Sequence, residues 1–289
     1  MSRNRMTKAE TEQLESQIYQ VLAQDNPQSV RHCFYRMTDP RLPVPVPKTD
    51  TGSPNGYNKV QQRMAKMRRA GRLPYSWVTD TTRRGYHTNT YANPDDFLQR
   101  VAGLYRGDVW RDIETHVEVW CESRSIAGVI QDLCKEYAVS LYPAGGFSSL
   151  SLIYEAASYI ANEIECSGKT SVCVLYVGDY DPAGVLVDKA IERDLRKHLP
   201  GVPVDFHRIG INADQVMLYD LPTKPRKAGD KRAQHITETV EAEAMPASLL
   251  RQLLRDQLDA FIPQQQLLAL QVAEQSERDG IRLMGMGNF

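Results

Sequence analysis

The stretch Val174-Leu175-Tyr176-Val177-Gly178-Asp179-Tyr180-Asp181-Pro182-Ala183-Gly184 decides how this chain is read. An apolar run ends in glycine, two aspartates follow one residue apart, and proline and glycine come next. The run reads as a buried parallel strand, and Pro182 fits the first position of a following helix. The aspartates then stand at the carboxyl end of a strand, where open α/β sheets place their ligands. Side chains two apart on extended backbone point the same way. At about 6 Å and an effective dielectric of about 20, two such charges repel by roughly 2.8 kcal/mol. A cation is needed there, and carboxylate oxygens suit a hard divalent ion, Mg2+ or Mn2+.

A third acid occupies a matching place. His116-Val117-Glu118-Val119-Trp120-Cys121 alternates like a strand and ends at Glu122, before the helix-like Ser123-Arg124-Ser125-Ile126-Ala127-Gly128. Taken singly, Glu122 reads as a helix cap, and the aspartates as a turn, ahead of a ligand role. In this order, Glu122, Asp179 and Asp181 form a candidate metal site. A strand ending in one acid, followed later by a strand ending in D-x-D, resembles the Toprim domain of topoisomerases, primases and some nucleases. That resemblance implies a parallel sheet flanked by helices, and three acids holding Mg2+ for phosphodiester chemistry.

At 289 residues and 42% hydrophobic content, the chain is long enough for a substantial core and two domains. No apolar run approaches the ~20 residues that span a bilayer, and no signal-like segment opens the sequence, so a cytoplasmic protein is expected. The five cysteines form no C-x-x-C pair, which points to reduced thiols rather than zinc or disulfides.

The net charge of −1 conceals a split: residues 1–110 carry 17 basic against 10 acidic side chains, and the remainder 18 against 26. The excess is concentrated in Lys59, Arg63, Lys66, Arg68, Arg69, Arg72, Arg83 and Arg84. The first six lie on or just beyond a predicted helix, Tyr57 to Ala70. A Trp- and Thr-containing, hairpin-like segment follows from Leu73 to Tyr86. Helix then β-wing is the outline of a winged helix (CAP-like), with the helix in a groove of double-stranded DNA and the wing on phosphate. A solvated basic face is the plainer alternative. Upstream, Lys8 to Ala23 and Ser29 to Met37 read as helices, and Thr38 to Asn55 as a proline-rich loop. Pro94 to Tyr105 reads as a connecting helix, so the expected domains are residues 1–110 and 111–289.

The second helix carries Ser29-Val30-Arg31-His32-Cys33-Phe34-Tyr35. It resembles the Ser/Thr-x-Arg-x-x-aromatic-Tyr helix of topoisomerase VI A subunits and the related meiotic double-strand-break proteins. Their domain order, winged helix then Toprim, is also the order read here. The resemblance implies that Tyr35 attacks DNA to give a 5′-phosphotyrosyl link, assisted by Arg31. It further implies a homodimer in which the tyrosine of one protomer works with the acids of the other. The spacing suits the chemistry: residues four apart share a helix face and can meet at one phosphate. A phenol with a pKa near 10 is only about one-thousandth ionised at pH 7, so its attack needs help. Little precedes the first helix, so the extension that engages an ATPase B subunit in that family is not expected. The chain resembles most the compact, stand-alone A-like proteins of phages and mobile elements, for which ATP-independent cleavage is the expectation.

Further strands are read at Ala138 to Tyr142 and Val202 to Ile209. Helices are read at Ser148 to Cys166, Asn212 to Tyr219, Ala247 to Phe261 and Gln264 to Arg278. Leu221 to Lys231 is a basic loop for the DNA backbone or for solvent. Glu241 and Glu243, ahead of Met245-Pro246, read as a structural segment with an accessory metal role as the alternative. Three functions stay open: tyrosine-mediated DNA cleavage, metal-dependent hydrolysis by a Toprim nuclease, and DNA binding without cleavage.

Overall fold

The computed structural model describes residues 6–48, 55–79, 88–145, 150–226 and 232–285. Three helices come first: α1 (Lys8–Gln24), α2 (Val30–Met37) and α3 (Gly56–Arg69). Each begins on a residue whose short polar side chain accepts a hydrogen bond from the first turn: Thr7, Ser29 and Asn55. Beyond α3 the described chain forms a 3-10 turn, Tyr75–Trp77, and Val78 makes a single parallel bridge with Gln28. The expected hairpin is therefore a turn over its first part, and residues 80–87, which include Arg83 and Arg84, lie outside the described residues. The Tyr75 ring is drawn under the Arg68 guanidinium, 4.4 Å from ring centre to carbon, instead of joining a strand.

After α4 (Pro94–Val101) the chain alternates strand and helix: β1 (Thr115–Cys121), α5 (Arg124–Glu136), β2 (Ser140–Pro143), α6 (Leu150–Ser167), β3 (Ser171–Val177), α7 (Gly184–His198) and β4 (Val204–Gly210). The four strands pair in parallel in the order β2-β1-β3-β4. From β1 the chain first moves outward to β2, then crosses back to β3 on the other side. The order reverses between β1 and β3, the place where open α/β sheets leave a crevice at the carboxyl ends. Cys121 pairs with Val177, so both strands stop at one level and Glu122 and Gly178 emerge side by side.

The sheet is covered on both faces, which is why β3 is a continuous apolar run. One face packs with α5, α9 (Ala247–Asp259) and α1 to α3 into one cluster that runs from Leu14 to Leu267. The other face, with Trp120, Val174 and Tyr176, packs under α6 and α7. The alternation seen in β1 is thus not core against water. Glu118 is fully buried, accepting from Trp120 Nε1 at 2.8 Å with His116 Nε2 at 3.3 Å.

Beyond β4 come α8 (Ala213–Leu218), a two-residue antiparallel pair of β5 (Lys224–Pro225) and β6 (Glu238–Thr239), a 3-10 turn Ala242–Ala244, α9, and α10 (Gln264–Met284). The amino-terminal helices are tied to this half by ions as well as by apolar contact. Asp25 accepts from Arg251 at 2.6 Å and from the Ser248 N–H at 2.9 Å. The five cysteines are free, four of them buried. Among the described residues, no helix is long and apolar enough to cross a membrane.

Candidate active site

Glu122 and Asp179 meet where the strand order reverses. The Glu122 N–H donates to Val177 O at 2.8 Å, and its carboxylate accepts from the Asp179 N–H at 2.9 Å. This closeness requires glycine at 178: a Cβ there would lie 2.6 Å from the Tyr176 hydroxyl and 2.9 Å from Glu122 Oε2. The two aspartates, read as pointing together, diverge. Asp179 Oδ1 accepts from the Ala242 N–H at 2.8 Å, while Asp181 Oδ1 accepts from the N–H groups of Ala183 at 2.8 Å and Gly184 at 2.6 Å. That Asp181 turn moves the start of α7 to Gly184, so Pro182 sits in the turn and not at the first helical position.

The acids are poorly solvated and crowd one another. Burial, then the charge of Glu122, pushes the Asp179 carboxyl up to about 8. Glu122 is also raised, by burial first and by the charges of Asp181 and Glu243, against the pull of the Asp179 N–H. Arg208 from β4 is a largely buried cation, but it serves the backbone. It donates to Gly178 O at 2.9 Å, Ile211 O at 3.0 Å and Asp188 Oδ2 at 2.7 Å, and also to Asp179 O. The Tyr176 hydroxyl, buried beside Glu122, has no hydrogen-bond partner among the described residues. An oxygen-only donor set whose charges repel, next to an unsatisfied buried hydroxyl, fits a hard divalent cation. Among the described residues, no group of three or more His, Cys, Asp or Glu side chains is already arranged to hold a metal. Each of the three acids is instead engaged by backbone N–H groups.

The segment after β6 links these acids to α2. Tyr180 and Val240 exchange backbone hydrogen bonds at 2.8 and 2.9 Å, which sets Glu241, Ala242 and Glu243 against the strand ends. Glu243 accepts from Ser125 Oγ at the start of α5. Glu241 turns the other way. It accepts from Arg31 Nη1 at 2.7 Å and from Lys224 Nζ, and the Tyr35 hydroxyl lies within reach of its charge. Arg31, one turn before Tyr35 on α2, therefore binds a carboxylate beside Asp179 whose charge Tyr35 also feels. Tyr35 is only 3% exposed; burial, then the Glu241 charge, drives its hydroxyl further from ionisation. Its ring packs at 5.5 Å from Phe34, and Lys48 Nζ lies 5.0 Å over it.

The basic helix divides into two sets. Arg63 at 3.2 Å, and Arg72, both bind the buried carboxylate of Glu15 on α1, and Arg68 stacks on Tyr75. Lys66 and Arg69 are exposed and Lys59 is half-buried. The residues that reading the sequence did not assign to the site are Arg208, and Lys224 with Glu241 as a pair. The only trace of Arg208 was a basic residue at the end of a strand. Comparison with protein-family models, curated proteins and solved structures finds no match to this chain.

Proposed function

We propose that this chain is a metal-dependent DNA-cleaving protein built like a topoisomerase VI A subunit, a winged-helix region before a Toprim domain, with Tyr35 as nucleophile. One observation carries the reading. Arg31, on the helix that carries Tyr35 and far in sequence from the strand-end acids, binds Glu241, whose neighbour Ala242 is bonded to Asp179. A phosphate-directed cation, a hydroxyl nucleophile and a carboxylate cluster at a sheet crevice together suit phosphodiester transesterification.

In this reading Arg31 holds the scissile phosphate through charge-assisted hydrogen bonds. Tyr35 Oη attacks phosphorus, its proton passes to solvent or a neighbouring base, and the 3′-oxygen of the broken strand leaves and takes up a proton. The product is a 5′-phosphotyrosyl link. Glu122, Asp179 and Asp181 would hold Mg2+ or Mn2+, which supplies positive charge to the phosphate oxygens when bound. The exposed Lys66 and Arg69, with Lys59, Arg83 and Arg84, steer and anchor double-stranded DNA. Two copies of the chain cut the two strands.

The burial of Tyr35 favours a second reading, in which its ring is packing and the acids direct hydrolysis by water. Incubating protein, duplex DNA and Mg2+, then denaturing, separates the two. Protein covalently attached to 5′ ends is the expected result. Free ends with no attached protein would establish the hydrolytic nuclease, and uncut DNA retained by the folded protein would leave a binding role only.

A further inference from the structure

Resting on the DNA-cleaving reading, we propose that Arg31, Lys224 and the Tyr35 hydroxyl form a seat for one phosphodiester, and that Glu241 fills that seat in the DNA-free chain. The geometry is that of an anion site. A planar guanidinium from α2 and an ammonium from β5 close on the two oxygens of one carboxylate: Arg31 takes Oε2 at 2.7 Å, and Lys224 takes Oε1. Tyr35, one turn along α2 from Arg31, is close enough to feel the charge of the same group. Two cations on a pair of anionic oxygens, with a hydroxyl nearby, are what a phosphodiester, with two non-bridging oxygens and one negative charge, requires.

Two further observations separate this cluster from an ordinary structural ion pair. First, it is open. The side chains of Arg31, Lys224 and Glu241 are 47%, 36% and 24% exposed, against 13% and 11% for the buried Arg208–Asp188 pair in the same molecule. A solvent-reachable ion pair is cheap to exchange, so an incoming phosphate displaces the carboxylate at little cost. Second, it is held in place beside the acids. The Val240 bridge to Tyr180 and the Ala242 bond to Asp179 fix the backbone on both sides of Glu241, leaving only its side chain to swing away. The Arg31 guanidinium, 5.7 Å from the Tyr57 ring centre, keeps its direction when the carboxylate leaves. Lys224 is thereby assigned a phosphate contact, and Glu241 the place of an internal substitute that keeps the seat assembled.

The test uses the full chain without divalent metal and two probes. These are dimethyl phosphate, followed by 31P line broadening, and a fluorescent DNA duplex, followed by anisotropy. Glu241→Gln empties the seat of charge and should strengthen binding of both probes about two- to fivefold, the worth of a partly exposed ion pair. Lys224→Ala in the Glu241→Gln background should erase that gain, and Lys224→Arg should keep it. Glu238→Gln removes an equal charge from the nearby exposed strand β6 and should give no such gain. Thermal melting shows that each variant is folded. The seat is overturned by unchanged dimethyl phosphate binding in Glu241→Gln, by an equal gain in Glu238→Gln, or by a gain that survives Lys224→Ala. A Lys224-dependent gain for dimethyl phosphate with no duplex binding in any variant would uphold the seat while removing the DNA-cleaving reading.

Discussion

Asp179 is a carboxyl group whose surroundings favour its proton, and this has consequences that pH exposes. Its folded pKa is about 8 and its unfolded value about 3.9. Between those values the folded chain binds more protons than the unfolded one. The stability of the metal-free protein therefore falls as pH rises through this window and levels off above about 8. Melting curves in EDTA from pH 5 to 9 should descend by the equivalent of a few kcal/mol, and Asp179→Asn should flatten them. Parallel curves for the two proteins would remove the proposed protonation. A bound ion needs the carboxylate form, so Mg2+ affinity should rise over the same range. Tyr35 and Arg31 make a second residue-scale pair. Tyr35→Phe keeps the ring that packs on Phe34 and loses one hydroxyl, so it should abolish covalent linkage and leave duplex affinity nearly unchanged. Arg31→Ala removes a cation from the phosphate and should weaken binding by about 2 kcal/mol as well as cleavage. Cutting by Tyr35→Phe at the unaltered rate would hand the chemistry to water.

At the scale of elements, the turn between β3 and α7 is shaped by Arg208. Its donors satisfy the carbonyls of Gly178, Asp179 and Ile211 together with Asp188, a set that only a five-donor planar group can serve. Arg208→Met should cost about 3 kcal/mol by stranding Asp188 and should loosen the acids, weakening Mg2+ binding measured by calorimetry. Arg208→Lys should rescue little of either; full recovery would show that charge alone is needed. Helix α3 divides similarly. Arg72 neutralises the buried Glu15, so Arg72→Ala should lower the melting temperature. Lys66→Ala with Arg69→Ala should spare stability and reduce the slope of log affinity for DNA against log salt by about 2. An unchanged slope would remove α3 from the DNA surface. Much of this framework was legible in the sequence because local rules write it there. Apolar periodicity marked the helices, and β3, buried on both faces, read as an apolar run ending in acids. What stayed hidden depends on distant partners. Arg31 and Glu241 lie 210 positions apart, and no local pattern couples them. The turn at Tyr75–Trp77 was read as a wing because aromatic and Thr content favours strand, whereas stacking under Arg68 held Tyr75 outside any ladder.

The whole molecule places the helix that carries Tyr35 and the sheet that carries the acids in one continuous apolar cluster, from Leu14 on α1 to Leu267 on α10. Asp25 clamps the end of α1 to the start of α9 through Ser248 and Arg251. Such packing fixes α2 against its own chain's Glu241. The family resemblance implies that a tyrosine crosses to the acids of a partner protomer. Within the proposed function, the contacts of this chain lead us to propose a centre completed within one protomer, with a dimer serving only to cut the second strand. Mixing two inactive variants decides between these arrangements. Tyr35→Phe lacks the proposed nucleophile and Asp179→Ala lacks a proposed metal-binding acid, but each retains the other part. If the centre is completed within one chain, an equimolar mixture at micromolar concentration has no intact centre and should yield no covalent protein–DNA adduct above either variant alone. If tyrosine and acids come from different protomers, mixed dimers contain one intact centre, and adduct should reappear at up to about half the normal yield per dimer, attached only to the Asp179→Ala chain. A size tag on one variant identifies which chain carries the DNA, and light scattering on the same mixture establishes that dimers are present. Adduct on the tagged Asp179→Ala chain would overturn the intra-chain centre. Its absence, with dimers present and both variants folded, is the result that the Arg31–Glu241–Lys224 cluster leads us to expect.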